Sequence, residues 1–292
     1  ENYCVKKLVM FVRLWIALSS WGESRGKPFL GMQAVGIPVV AWVFFTLRAQ
    51  MHNHVAFNLL LASDPPDWSF IVAGLILIVY AADFISDAIA WDGIGVKFVS
   101  WQLILAVGWI LFASFVVLTL TLVLPLFGYG MGFLDMLWNL RYLISGGLLY
   151  GFLKWRGGLM MAMGGPVVIA FVFACAVFAG LPGRGLFVYW FQGFFLFLLN
   201  ILLMQFFEKD KDAVSNTPNL WLLVSHQMMF FTTLFFGMLV FLGWILLDTE
   251  PSYNGIVWLL LTYTLMYGFP RIFRWGRLYR LLIDVALLLW LI

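Results

Sequence analysis

Charge is what this chain has least of. Only 11% of its 292 residues are Asp, Glu, Lys or Arg and 64% are apolar, against roughly a quarter charged and half apolar in soluble domains. That composition cannot clothe a water-soluble surface, so a soluble enzyme or scaffold is excluded. Cysteine is equally scarce. Cys4 and Cys175 are the only two, too few for a disulfide framework, and they form no CxxC pair for a metal or a thiol couple. Three histidines make no HExxH, and neither a phosphate loop nor a nucleophile elbow is found. The excess of three positive charges is spread among short connections rather than gathered in a stripe, which argues against nucleic acid as a partner.

What the chain does have is long apolar runs. A bilayer crossing needs about 20 such residues, and the runs predict nine membrane helices, near 29–47, 68–91, 98–124, 134–153, 159–180, 186–207, 219–247, 254–270 and 279–292. The expectation is an all-α membrane protein, one polytopic domain over 1–292, with 1–28 a cytoplasmic or interfacial segment because its short apolar run carries Arg13. No cleavable leader is expected, since that run lacks a small-residue cleavage site. Residues 49–67, with His52, His54, Pro65 and Pro66, read as a long connection that partly re-enters the membrane.

Alternating the nine spans places Lys6, Lys7, Arg13, Arg25, Lys27, Lys97, Lys154, Arg156, Lys209, Lys211, Arg271, Arg274, Arg277 and Arg280 on one side, and Arg48 and Arg184 on the other. Arg141 alone falls inside a span. By the positive-inside rule the N-terminus is cytoplasmic and the C-terminus opposite.

Two acidic pairs stand out against this background. Asp83 and Asp87 end the second span, and Glu208 and Asp212 end the sixth, each pair four residues apart. That spacing puts both carboxylates on one helix face, close enough to share a divalent cation. Acids at a helix C-terminus are opposed by the macrodipole as well as by the apolar solvent, so they call for a metal ion or a basic partner. Lys209 and Lys211 interleave with the second pair and offer local neutralisation instead. Lys154 and Arg156 close the fourth span on the same face. They serve either as positive-inside anchors or as phosphate ligands, Arg156 by a fork and Lys154 as a point charge. Asp135, Asn139, Arg141, Asn200, Gln205, His226, Gln227 and Asp284 lie within spans, most of them expected to be satisfied between helices. Arg280 and Asp284 are spaced to pair, while His226 is either packed between helices or, with Gln227, touches a polar acceptor in a central cavity.

With two acidic motifs closing spans two and six and the stretch from Tyr150 through Lys154 to Arg156 closing span four, the chain resembles the UbiA family of intramembrane prenyltransferases over nearly its whole length. The resemblance implies nine helices in two four-helix halves around a central cavity. It implies Mg2+ held by Asp83, Asp87, Glu208 and Asp212, with Tyr150, Lys154 and Arg156 on the diphosphate of a prenyl donor. It further implies transfer of the prenyl group to a lipophilic acceptor near His226 and Gln227. Two other readings stay open: a catalytically silent relative serving as a structural or lipid-binding subunit of a larger membrane complex, and a transporter using Asp135, Arg141 and Asp284.

Overall fold

The protein is described by a computed structural model over residues 31–59, 67–92, 100–126, 134, 137–138, 140–178, 186–215, 218–223, 235, 237–238, 253–274 and 278–291. The described residues are almost all helical and contain no strand. In chain order the helices are α1 (Gly31–Leu59), α2 (Asp67–Asp92), α3 (Ser100–Leu118), α4 (Arg141–Arg156), α5 (Gly158–Phe178), α6 (Leu186–Ser215), α7 (Leu220–Leu223), α8 (Tyr253–Gly268), α9 (Pro270–Arg274) and α10 (Leu278–Ala286). A π-helical turn, Thr119–Val123, extends α3. It stands immediately before Pro125, which lacks the amide a regular turn needs and whose ring clashes with the carbonyl four residues back. Thr121 Oγ1 also donates to the Val117 carbonyl at 2.7 Å, a local bond that loosens the same turn.

Four stretches within these helices are long and apolar enough to cross a membrane: Ser69–Ser86, Gln102–Val123, Gly158–Phe178 and Trp190–Asp210. Gly36–Gln50 and Gly255–Gly268 are apolar but shorter. The chain is therefore membrane-embedded, helical and without strands among the described residues, and the expected nine crossings are not reached among them. The interfacial segment 1–28 and most of the seventh span lie outside them.

Three expectations change. α1 does not stop near residue 47 but runs on to Leu59, through half of the supposed connection. The reason is Arg48, which is fully buried rather than a loop charge. Its guanidinium donates to the carbonyl of Val177 at 2.7 Å. That carbonyl lies in the last turn of α5, where the acceptors have no helical partner and the macrodipole is negative, so a cation is held there without water. Next, α2 and α6 continue to Asp92 and Ser215, which sets Asp83, Asp87 and Glu208 more than a turn before the helix ends, so that the macrodipole argument holds for Asp212 alone. Last, the ninth expected span is not one regular α-helix: nine α-helical residues, Leu278–Ala286, pass into the 3-10 turn Leu287–Leu291, and Ile283 and Leu287 are buried against the bundle.

Packing follows the order of the chain. α1 pairs with α2, α2 with α3, α4 with α5 and α5 with α6, while α8, α10 and the 3-10 turn close over α1 and α6. Short connections make each of these four successive pairs antiparallel. Phe44 of α1, Phe173 of α5 and Phe197 of α6 meet at one buried point, with ring centroids 4.8, 5.5 and 5.8 Å apart. Such aromatic pairs are worth about 0.5–1.5 kcal/mol each, which matters where lipid removes the hydrophobic drive between helices. A polar node ties α10 in: the Asn200 amide donates to Tyr263 Oη and to the Ile283 carbonyl, both at 3.1 Å, and Tyr263 Oη reaches that carbonyl at 3.2 Å.

The α4–α5 contact is tightest at one glycine. A methyl group added at Gly146 would meet Val172 Cγ2 at 2.5 Å, whereas one at neighbouring Gly147 meets nothing within 4 Å. Gly146→Ala should therefore lower the thermal unfolding midpoint in detergent by the equivalent of about 1–3 kcal/mol. Gly147→Ala should leave it unchanged or raise it by up to about 1 kcal/mol through helix propensity. Equal effects of the two would refute this packing.

Candidate functional site

Lys154 and Asp83 meet across the bundle. Lys154 lies in the last turn of α4, and its Nζ is 2.7 Å from Oδ1 of Asp83 on α2, 71 positions earlier. Their side chains are 37% and 46% exposed, so the pair is worth no more than about 1 kcal/mol. Its interest is positional: it sets a cation and a carboxylate from two different helical hairpins at one point. The local chain explains why Lys154 is there. The Gly157 amide reaches the Leu153 carbonyl at 2.9 Å, closing α4. Gly157 and Gly158 then take φ of 64° and 58°, a left-handed conformation that only glycine adopts cheaply, and α5 starts at once in the opposite direction. Lys154 and Arg156 thus occupy the tip of a tight helical hairpin. Arg156 is exposed, with its guanidinium carbon 5.6 Å from the ring centroids of both Phe152 and Trp155. Tyr150 is half-buried one turn before Lys154. Asp87 continues the α2 helix one turn beyond Asp83, and its side chain lies outside the described residues.

The second acidic pair is engaged differently. Asp212 is buried, and its Oδ2 accepts a 2.6 Å bond from the Asn219 amide. The same amide donates to the Gln205 carbonyl at 2.9 Å, and Asn219 Oδ1 accepts from the Trp221 backbone amide at 2.9 Å. Asn219 is thus the N-cap of the short helix α7, a position that asparagine favours, and it pins the chain leaving α6 back against that helix. Trp221 Nε1 adds a 2.8 Å bond to the Leu202 carbonyl. Glu208 Oε1 accepts a long 3.5 Å bond from Tyr279 Oη, while the Tyr279 ring stacks on Phe207 at 4.7 Å. Lys209 lies 5.3 Å above the Phe206 ring and Asp210 is exposed.

These groups share one end of the bundle. Asp83 lies in the C-terminal part of α2 and is bound to the C-terminal end of α4. α5 starts there and runs away, and α6, antiparallel to α5, returns with Glu208 and Asp212 in its final turns. Sharing an end is not sharing a cation. Among the described residues, no three Asp, Glu, His or Cys side chains converge as a metal set, and each described carboxylate of the two pairs has a donor of its own. The described groups therefore do not by themselves fit Mg2+. His226 and Gln227 lie outside the described residues, as do Asp135 and Asn139.

Sequence reasoning missed Asn219 and Tyr279. An asparagine behind Pro218 is a readable cap signal, but nothing in the spacing shows that its amide returns to Asp212. Tyr279 reaches Glu208 only through the docking of α10 on α6, a long-range contact with no local mark. No family model, curated protein or solved structure matches this chain.

Asn219 makes three bonds with two groups, so Asn219→Ala should destabilise the protein by about 2–3 kcal/mol. Asn219→Asp retains the cap but sets a second carboxylate against Asp212, and should destabilise it at least as much at neutral pH. Thermal unfolding of both variants checks this, and a neutral Asn219→Asp would contradict the assigned contact.

Proposed function

We propose that the chain is a UbiA-like prenyltransferase that receives a prenyl diphosphate at the bundle end carrying Asp83, Lys154 and Arg156 and passes the prenyl group to a lipophilic acceptor. The observation that supports this reading is the 2.7 Å approach of Lys154 to Asp83. It sets a cation from the α4–α5 tip beside a carboxylate of the first acidic motif, the pairing a diphosphate site needs at the edge of an apolar bundle. The positive-inside sorting supports a cytoplasmic location for this end.

In this reading the diphosphate takes Lys154 away from Asp83 and draws Arg156 from the rings of Phe152 and Trp155, since a charged phosphate is a stronger partner than either. The bond between the allylic carbon and the diphosphate oxygen breaks with both electrons leaving on the diphosphate. Lys154 and Arg156 stabilise that developing charge. The acceptor, near His226 and Gln227, supplies the electron pair for the new bond and gives up a proton, and the apolar helices keep water from the cation. The family resemblance would assign Mg2+ to Asp83, Asp87, Glu208 and Asp212, where it would supply further charge neutralisation, but the described carboxylates do not converge on one cation.

A second reading has its own support. Asp212 and Glu208 are occupied by Asn219 and Tyr279 of the same chain, as expected if the acids now serve only the fold of a structural or lipid-binding subunit of a membrane complex.

Binding of a non-hydrolysable prenyl diphosphate analogue to the purified protein separates the two. The transferase reading expects binding that weakens at least about tenfold in Lys154→Met, one charged bond being worth 1.5–3 kcal/mol, and that falls in Asp87→Ala or with EDTA. Binding insensitive to Lys154→Met would remove the assigned diphosphate contact. No binding under any condition would leave the structural reading.

A further inference from the structure

α4 is bounded at both ends by an arginine set against aromatic rings. At its start the Arg141 guanidinium carbon lies 4.5 Å from the ring centroids of Trp138 and of Tyr142, and Arg141 Nη1 donates to the Trp138 carbonyl at 2.6 Å. At its end Arg156 lies over Phe152 and Trp155, and Trp155 is 78% exposed. Arginine with tryptophan and tyrosine is the side-chain set that settles at the level of lipid headgroups. Two such sets on one helix mark two interfaces. They are close together: the helix has 16 residues and so measures about 24 Å, against a hydrocarbon thickness of about 30 Å.

α4 runs alongside a full crossing and does not lie flat in one interface. Added methyl groups at Gly146 and Gly164 would meet Val172 and Leu153 respectively, so α4 follows the 21-residue apolar helix α5 through its depth. Its other side is apolar and open, with Leu148 and Leu149 exposed between the two arginines. The usual relief for a short span, side chains reaching outward, is restricted at the α4–α5 tip. Lys154 is held by Asp83 and Arg156 lies back over a ring one turn earlier in the helix. The flank formed by α3, which packs on α2 and α1, differs. On α3 and its extension the exposed apolar side chains run from Ile104 to Val123 without a charge, about 28 Å of rise.

We infer that the α4 flank takes a locally thinned lipid surface, with headgroups drawn inward to the levels of Arg141 and Arg156, while the α3 flank takes a bilayer of ordinary thickness. The partner is the bilayer itself, and its preferred acyl chains on this flank are short. This inference is independent of the transferase reading and of any bound diphosphate.

Cryo-electron microscopy of the full chain in a nanodisc of phosphatidylcholine with acyl chains of about 18 carbons provides the test. The headgroup-to-headgroup distance beside α4 should be smaller than beside α3 by about 5 Å. Equal distances on the two flanks would overturn the inference. A solution measurement stands beside it: across vesicles of graded chain length, thermal stability of the native chain should peak at about 14–16 carbons, and Arg141→Leu, which removes one of the two boundaries, should move the peak to longer chains. A native peak at about 18 carbons or more would also overturn it, whatever the variant does.

Discussion

Inside a hydrocarbon slab no water completes a polar group, so a buried donor or acceptor is costly unless the chain itself meets it, and that pressure organises most of this protein's buried polar groups, although Gln192 Nε2 and Gln205 Oε1 are buried without a hydrogen bond. Arg48 is its largest expression. A fully buried guanidinium on α1 donates to the Val177 carbonyl in the last turn of α5, which ties α1 to the end of that helix. The same need appears where Asn200 and Tyr263 converge on the Ile283 carbonyl and where Trp221 reaches Leu202. Each bond joins elements distant in sequence, and together they do the work that hydrophobic burial does in a soluble core.

At the bundle end the constraint relaxes, because water is near, and charges gather there. Two glycines at positive φ turn α4 into α5 within a single step, and the tip they make carries Lys154 to Asp83. A weak ion pair in energetic terms is still a precise statement of which helices meet. It joins the α2 and α4 hairpins where both are partly exposed, leaving Lys154 able to exchange Asp83 for another anion. The second acidic pair lies at the same end but is set into a network of neutral donors, with Asn219 at its centre.

Much of the fold was legible in the sequence. Apolar runs bounded by Pro, Gly and charge located α2, α3 and α5 to within a few residues, since bilayer thickness imposes both the length and the composition. Failures fell where a polar residue stays inside a helix. Arg48 read as a loop because its partner, the Val177 carbonyl, is 129 positions away, and the acidic residues read as helix ends because the polar final turns of α6 look like a connection. Of the candidate site, the Asp83 to Lys154 approach was implied by a shared membrane face, but not the contact itself. The roles of Asn219 and Tyr279 arise from docking between elements, which local spacing does not encode.

Central to all of this is that α2 and α4 meet at Asp83 and Lys154. In a background with Cys4 and Cys175 replaced by alanine, the double variant Asp83→Cys with Lys154→Cys can be treated in native membranes with a short bifunctional thiol reagent, since the side chains meet at their tips and direct disulfide geometry is not offered. The pairing Leu122→Cys with Lys154→Cys, set toward opposite ends of the bundle, serves as control. Efficient internal cross-linking of the first pair and none of the second is the expected result. Cross-linking of neither, or of both alike, would contradict the arrangement on which the candidate site rests.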